Sequence, residues 1–524
     1  MTKKGSKKSA PVPSDPQPPP PISARSVVST LALVALGASL CVSFFSSNSL
    51  SGARQRVVAA IPSFTPTVAF IEKSAVRVEG GDMPLLYLKA KHEPMILLNS
   101  KVSRQVPRWT ARDVVGMMAA DEMAGVYRNN DSAVFGTYYD TNRPMHLMPT
   151  VHKNVRYEDN VRLSRAALLA AFPPPSSTQR PAPPFHALAT APTSVHPSLE
   201  SRLDLRELVS LNPARSSVNL WLSSPGSVTP CHYDGYYNLY LQLSGTKRFT
   251  LLPPDARSSL SMFPFLHPSY GQCKNSFVDT GRGAGLAAAV WDERVDVLLQ
   301  PGELLFIPPF WLHETEALSS SVSINVWTDI PSSDILQQIL GMDVPGLSSV
   351  QIDSSLPIPL TPEDMTLLPV DLSSLTGRYM LGYVIAVEVV EGCIGKAKTK
   401  TIVEDVMSRY RHLIDDGTLI DMPRIMRDPL SVLLSQWKVP LIAKKKASKY
   451  DELIGDEALI KDVKAYIASM MELLKAADFA VQPVTMGLYL EFLSERVCST
   501  HRASSFISLL HHAYAQHIAA TRGQ

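Results

Sequence analysis

Residues 229–249 read TPCHYDGYYNLYLQLSGTKRF. Apolar residues recur with the period of two that marks a strand, and Gly245 inside LSGTK marks a hairpin turn between two such runs. His232 and Asp234 stand two apart, so in an extended strand they project from one face. Asn238 and Lys247 follow in the same apolar stretch. Buried polar groups are costly unless partnered, so an imidazole, a carboxylate, an amide and a lysine here need a purpose beyond packing.

The same period continues on both sides. Between Ser217 and Asp329, eight short segments (SVNLWLSS, VTPCHYD, NLYLQL, KRFTLLP, VDVLLQ, ELLFIP, HETEAL and VSINVW) are separated mostly by Gly, Pro or Ser turns. This spacing belongs to all-β sandwiches and barrels. The gap from Pro253 to Arg294 reads as an insertion between strands. PGELLFIPPFWLHETEAL supplies a second histidine, His313, on a strand that follows a tight Pro-Gly turn. Two histidines and one carboxylate on converging strands make the facial set that leaves open positions on a non-haem Fe(II). An HxD triplet alone is common, and the ordinary fate of a barrel histidine is a hydrogen-bonded core position. A barrel lysine ordinarily points outward. Lys247, just after the hairpin, can instead reach inward and hold a carboxylate.

Taken together, SSPGSVTPCHYDGYYNLYLQLSGTKRFTLLPP and QPGELLFIPPFWLHETEAL…VSINVW resemble the JmjC and cupin-like Fe(II)/2-oxoglutarate dioxygenases. They are most similar to the branch containing the asparaginyl hydroxylase that acts on hypoxia-inducible factor. The resemblance covers residues 76–330 and is strongest over 217–328. It implies a mainly β plus α chain with a double-stranded β-helix (jelly-roll, cupin) core. It also implies His232, Asp234 and His313 as iron ligands, and 2-oxoglutarate and O2 as co-substrates. Thr229 matches the hydroxyl that helps bind 2-oxoglutarate, and Lys247 the lysine that pairs with its distal carboxylate. Asn238 and Asn325 match polar residues around the co-substrate. The branch usually adds a tyrosine from an upstream strand; the corresponding PFHALA offers only Phe185 and His186, with Tyr138, Tyr139 and Tyr240 as possible substitutes. In this chemistry 2-oxoglutarate is oxidatively decarboxylated to succinate while a substrate C–H bond is attacked, and the apolar Phe306, Ile307, Phe310 and Trp311 would keep water out. The expected substrate is a protein side chain; RNA, methylated lysine, or an inactive barrel that only binds are the alternatives. Trp221 and Trp327 read as core.

The remainder is read from composition and pattern. At 524 residues and a net charge of +2, the chain holds a large core and shows no global basic field for nucleic acid. Its five cysteines lack the spacing of a thiolate metal site or a disulfide scaffold. Residues 1–22 are a basic, proline-rich tail expected to be disordered. Val27–Phe45 lacks charges over a length suited to roughly 30 Å of hydrocarbon, so 23–46 is expected to be a transmembrane signal anchor. Basic residues before it favour a cytosolic N-terminus, hence a single-pass protein of the endoplasmic reticulum or secretory pathway with a lumenal catalytic domain. A cleaved signal peptide and an organellar presequence are the alternatives. Residues 47–75 read as a linker, and 173–198 as an exposed proline-rich loop. WTARDVVGMMAADEM predicts a helix capped by Thr110 and Asp113. Residues 331–524 read as a helical C-terminal region that could pair two copies as a homodimer. In it, Tyr379–Ile394 is apolar but interrupted by Glu388 and Glu391, predicting a buried helix, and Leu459, Val463, Tyr466, Ile467, Met470 and Leu474 share one helical face.

Overall fold

The computed structural model describes residues 75–79, 88, 91–119, 121–130, 133–135, 159–176, 182–191, 199, 212–265, 270–273, 276–277, 288–347, 375–415, 455–478, 482–498, 506–507 and 510–511. Strands β1 (Val76–Glu79) and β2 (Met95–Leu98) lead to helices α1 (Lys101–Gln105) and α2 (Ala111–Gly116). Then come β3 (Met123–Asn129), β4 (Asp159–Ser164), α3 (Arg165–Ala171) and β5 (Phe185–Thr190). The central strands are β6 (Ser216–Ser223), β7 (Val228–Tyr233), β8 (Tyr236–Ser244) and β9 (Lys247–Leu252). After the short α4 (Ala288–Trp291) follow β10 (Val295–Leu299), β11 (Leu304–Ile307), β12 (Leu312–Ala317) and β13 (Ser321–Asp329). Helices α5 (Ser332–Gly341), α6 (Leu375–Asp415), α7 (Glu457–Ala476) and α8 (Gln482–Cys498) make up the C-terminal region.

The strands form two sheets. The larger has the order β1-β2-β11-β8-β13-β6-β5-β3-β4, and the smaller β10-β9-β12-β7. Sequence neighbours β7 and β8 lie in different sheets, as do β12 and β13, which is the alternation a jelly roll requires. Thr110 and Asp113 form the expected reciprocal cap at α2. The segment read as a proline-rich loop contains β5, whose residues pair with both β3 and β6. Phe185 and Leu188 are buried on opposite faces of it, so both faces are covered, which its proline-rich flanks concealed. Cys231 and Cys273 are disulfide-bonded, tying β7 to the insertion across 42 residues, a link their scattered spacing did not suggest. Closing a loop of that length removes entropy from the unfolded chain worth about 4 kcal/mol.

The C-terminal helices have one core of their own, with the predicted face of α7 inside it. Tyr379–Ile394 is a helix that packs there, as expected. The core is joined to the jelly roll by buried charges. Arg257 in the insertion pairs with Asp405 of α6 (3.2 Å), Asp405 with Arg409 (3.3 Å), and Arg409 with Glu491 of α8 (2.9 Å). Glu491 also accepts the Phe265 N–H of the insertion (2.6 Å) and the Tyr410 hydroxyl (2.9 Å).

The membrane expectation is corrected. Among the described residues no helix is long and apolar enough to cross a membrane. The longest, α6, is interrupted by Glu388, Glu391, Lys396, Lys398, Lys400 and Glu404 and breaks at Gly395, where φ is +77°. The single-pass, lumenal placement has no support in this fold; the segment 23–46 on which it rested lies outside the described residues, as does the tail 1–22.

The hairpin reading of LSGTK is corrected: β8 and β9 lie in different sheets, so this turn carries the chain from one sheet to the other, and Gly245 makes that crossing. Its φ is +71°, and a Cβ there would sit 2.2 Å from the Ser320 carbonyl oxygen. Both the left-handed backbone and the closeness of a neighbouring main chain demand glycine. Gly245→Ala should therefore destabilise the protein by about 2–4 kcal/mol in denaturant titration; a cost under about 0.5 kcal/mol would contradict this packing.

Candidate metal centre

Strand pairing brings the two histidines together. His313 of β12 stands directly opposite His232 of β7, with ring centroids 4.2 Å apart. A register shift between His313 and Thr315, where Glu314 of β12 stands against Pro230 and Cys231 of β7, breaks the ladder just beyond them. Asp234 lies one residue past the end of β7, on the face His232 occupies. One ligand atom from each of His232, Asp234 and His313 lies within 4.8 Å of the others, and all three side chains are buried.

Each group is prepared for a cation. His232 Nδ1 faces the Pro230 carbonyl at 2.7 Å, and His313 Nδ1 faces that of Trp311 at 3.0 Å. A carbonyl only accepts, so both rings carry a proton on Nδ1, which leaves Nε2 as the atom each offers to a metal. Burial, reinforced by His232, lowers the His313 pKa well below the ordinary imidazole value. Its 3.7 Å approach to Asp234 Oδ2 is therefore a contact of a neutral ring rather than an ion pair. Burial raises the Asp234 pKa, against the opposing effects of His232 and of hydrogen bonds from Trp327 and Asn238. Those bonds both fall on Oδ2, at 3.1 Å from Trp327 Nε1 and 3.3 Å from Asn238 Nδ2. Oδ1 is buried with no hydrogen-bond partner among the described residues. An orphaned carboxylate oxygen beside two imidazole lone pairs is the donor set of an open 2-His-1-carboxylate site, so the residues fit Fe(II).

Asn238 and Asn325, matched by resemblance to co-substrate contacts, are hydrogen-bonded to each other. Trp221 Nε1 donates to Asn325 Oδ1 (2.7 Å), Asn325 Nδ2 to Asn238 Oδ1 (3.0 Å), and Asn238 Nδ2 to Asp234. The relay follows from register, since Trp327 lies opposite Asn238 and Asn325 opposite Tyr240 on β8. Both tryptophans read as core thus hydrogen-bond within the site.

Lys247 is buried, and its Nζ donates to Tyr240 Oη at 2.7 Å, which in turn donates to Ser323 Oγ at 3.0 Å. Among the described residues no carboxylate pairs with it. Burial lowers its pKa to about 7. Lys247, Thr229 and Thr315 line a small cavity with Trp221 and Tyr127. Tyr127 was missed because it comes from β3, which reaches the cavity by pairing with β5 opposite Ala187. Of the phenols considered from sequence, Tyr240 is the one bonded to Lys247, while Tyr138 and Tyr139 lie outside the described residues. The expected apolar wall divides. Phe306 stacks on Tyr237, Ile307 and Trp311 pack in a separate cluster, and the Phe310 N–H donates to the Asp234 carbonyl at 2.8 Å.

Residues 88–334 match the family described as Cupin-like domain. The chain is 33% identical over 113 residues to Lysine-specific demethylase JMJ30 of Arabidopsis thaliana, covering 21% of this chain and 25% of that protein. It is 36% identical over 122 residues to HSPB1-associated protein 1 of Homo sapiens, covering 21% and 23%. With Jumonji C domain-containing protein 5 of Drosophila melanogaster the identity is 31% over 119 residues, covering 22% and 28%. The chain thus spans about a quarter of the length of these relatives. They carry the JmjC kinship, whereas the likeness to the asparaginyl hydroxylase branch rests on the motif residues alone. Residues 88–334 thus resemble a cupin-like domain and, over shorter stretches, proteins named for JmjC domains and lysine demethylation.

Proposed function

We propose that this domain is the catalytic core of an Fe(II)- and 2-oxoglutarate-dependent oxygenase that hydroxylates a protein side chain. The observation that carries the reading is the buried His232, Asp234 and His313 set with the unpartnered Asp234 Oδ1. Iron bound there would supply O2 activation coupled to decarboxylation of 2-oxoglutarate to succinate. The chain's own residues position and exclude. Trp327 and Asn238 hold Oδ2 and leave Oδ1 without a hydrogen-bond partner among the described residues. Lys247 offers a buried positive charge to a distal carboxylate, with Thr229 and Tyr127 as neighbouring hydroxyls. A buried ammonium facing only a neutral phenol is stabilised by an incoming anion, which is why an acidic co-substrate suits this cavity. A second reading, demethylation of N-methyl-lysine, is favoured by the name of the JMJ30 relative. It proceeds by the same hydroxylation at an N-methyl carbon, and release of formaldehyde distinguishes it.

Protein loaded anaerobically with Fe(II) and then given O2 and 2-oxoglutarate should form succinate even without a second substrate, and His232→Ala should reduce the rate more than about 100-fold. Equal rates in the two proteins would overturn the oxygenase reading, and loss of all metal from purified wild type would favour an inactive barrel. Trp327→Phe, which keeps the ring and deletes the N–H to Asp234, should weaken metal affinity about 10–100-fold; unchanged affinity by competitive chelation would remove Trp327 from the site.

Co-substrate binding should depend on pH. Below about pH 7 Lys247 is already protonated and pairs directly with a carboxylate. Above it, binding must take up a proton, so 2-oxoglutarate affinity should fall as pH rises, by up to about tenfold per unit until the higher pKa of the complex is reached. Lys247→Met should lose both the affinity and the slope. A flat wild-type profile in calorimetry would show that Lys247 does not hold the carboxylate.

A further inference from the structure

We infer that Gly271–Cys273 and Ser276–Phe277 of the insertion brace the two histidines of the metal centre from behind, through the Cys231–Cys273 disulfide on one strand and Glu314 on the other. Metal affinity then depends on residues that never touch the metal; the inference rests on the reading of His232, Asp234 and His313 as a metal site.

The two histidines are not held equally. His313 sits on β12, which is paired along its whole length with β9, from Leu312 opposite Leu252 to Ala317 opposite Lys247. His232 sits on β7, which lies at the end of the smaller sheet beside β12. The pairing of β7 with β12 is interrupted at Glu314, immediately next to the histidine pair. An outer strand with an interrupted ladder opens more readily than one paired on both sides.

The insertion supplies what that ladder lacks. On the outer edge of β7 the Tyr233 N–H donates to the Gly271 carbonyl (2.9 Å), and the Cys273 N–H donates to the Cys231 carbonyl (2.8 Å). Gln272 is bridged to His232 between them. The disulfide joins the same two positions, Cys231 and Cys273. On β12, the Glu314 carboxylate accepts the Ser276 hydroxyl at 2.6 Å and the Phe277 N–H at 2.8 Å. Cys231 directly precedes His232 and Glu314 directly follows His313. Successive strand residues project from opposite faces, so both ties lie behind the imidazoles. Cys231, Cys273, Ser276 and Glu314 are all buried, and hydrogen bonds to a buried carboxylate are strong.

The brace is fixed on its far side as well. The Phe263 N–H donates to the Gln272 carbonyl at 2.9 Å. The Phe265 N–H donates to Glu491 of α8 at 2.6 Å, and the Phe265 ring packs edge-on against Tyr270, with centroids 5.2 Å apart. One short stretch of chain, itself anchored, thus holds the neighbour of each histidine. It sets the spacing of the two imidazoles before a metal arrives, which is how outer contacts raise the affinity of a metal site.

The test measures Co(II) affinity of the full chain under argon, by competition with a fluorescent chelator and so independently of turnover. Cys273→Ser, which cannot form the disulfide, should bind Co(II) about 10–100-fold more weakly than wild type, and so should Glu314→Gln, which keeps the size but removes the charge. The two variants alter different ties, so either one that folds by circular dichroism decides the matter. Dithiothreitol passes two electrons and two protons to the S–S bond, leaving two thiols and closing to its own cyclic disulfide. Wild type so treated and then desalted should bind Co(II) as weakly as Cys273→Ser. Oxidised glutathione, reduced in turn to two thiols, should restore it, and Cys273→Ser should respond to neither treatment. Unchanged Co(II) affinity in either folded variant, even with lowered stability to denaturant, would overturn the proposal by making the ties purely structural. Co(II) bound no more tightly by wild type than by His232→Ala would instead overturn the metal reading beneath it.

Discussion

A carboxylate buried beside two imidazoles is the constraint around which the jelly roll is arranged. Taking Asp234 out of water is costly, and burial alone would protonate it. Two N–H donors oppose that, and both come from the central strands of the larger sheet: Asn238 on β8 and Trp327 on β13. The imidazoles come from the smaller sheet, where β7 and β12 set them face to face. A one-residue slip of β13 against β8 would turn Trp327 and Asn325 to the opposite side of the sheet and leave the carboxylate without its indole donor. Register and site chemistry are therefore the same requirement, met from two sheets.

This explains which parts of the molecule were legible in the sequence. His232 and Asp234 were visible because their relationship is local: two residues apart in a strand means one face. His313 and Lys247 could be reached because strand runs and turns announced themselves, and the Thr110 cap and the α7 face follow equally local rules. Trp221 and Trp327 looked like core because their roles depend on which residue stands opposite them, and spacing within one strand does not encode that. Asn238 and Asn325 were assigned to the co-substrate by likeness, while cross-strand geometry joins them to each other. Tyr127 lies about a hundred residues before the cluster and reaches its cavity only through the order of β3, β5 and β6. The Cys231–Cys273 bond likewise joins positions that only the folded insertion brings together. The membrane expectation came from composition in a segment the described fold does not include.

The C-terminal helices look separable by pattern, since the period changes from two to helical after Pro331. Packing says otherwise. Arg257, Asp405, Arg409 and Glu491 form a buried chain of charges in which each member has an opposite partner, and its ends lie in different regions. Removing one partner from such a chain leaves an uncompensated buried charge, which is far more destabilising than never having built the chain.

That cluster sets the size of the cooperative unit. A fragment ending at Asp329 would contain every metal-ligand residue and nearly all of the matched family segment, yet would expose Arg257 without Asp405 and the insertion without Glu491. The boundary drawn by sequence similarity at 334 is thus an evolutionary border and not a mechanical one. Heat or denaturant that parts the helices from the jelly roll leaves these buried charges without their partners.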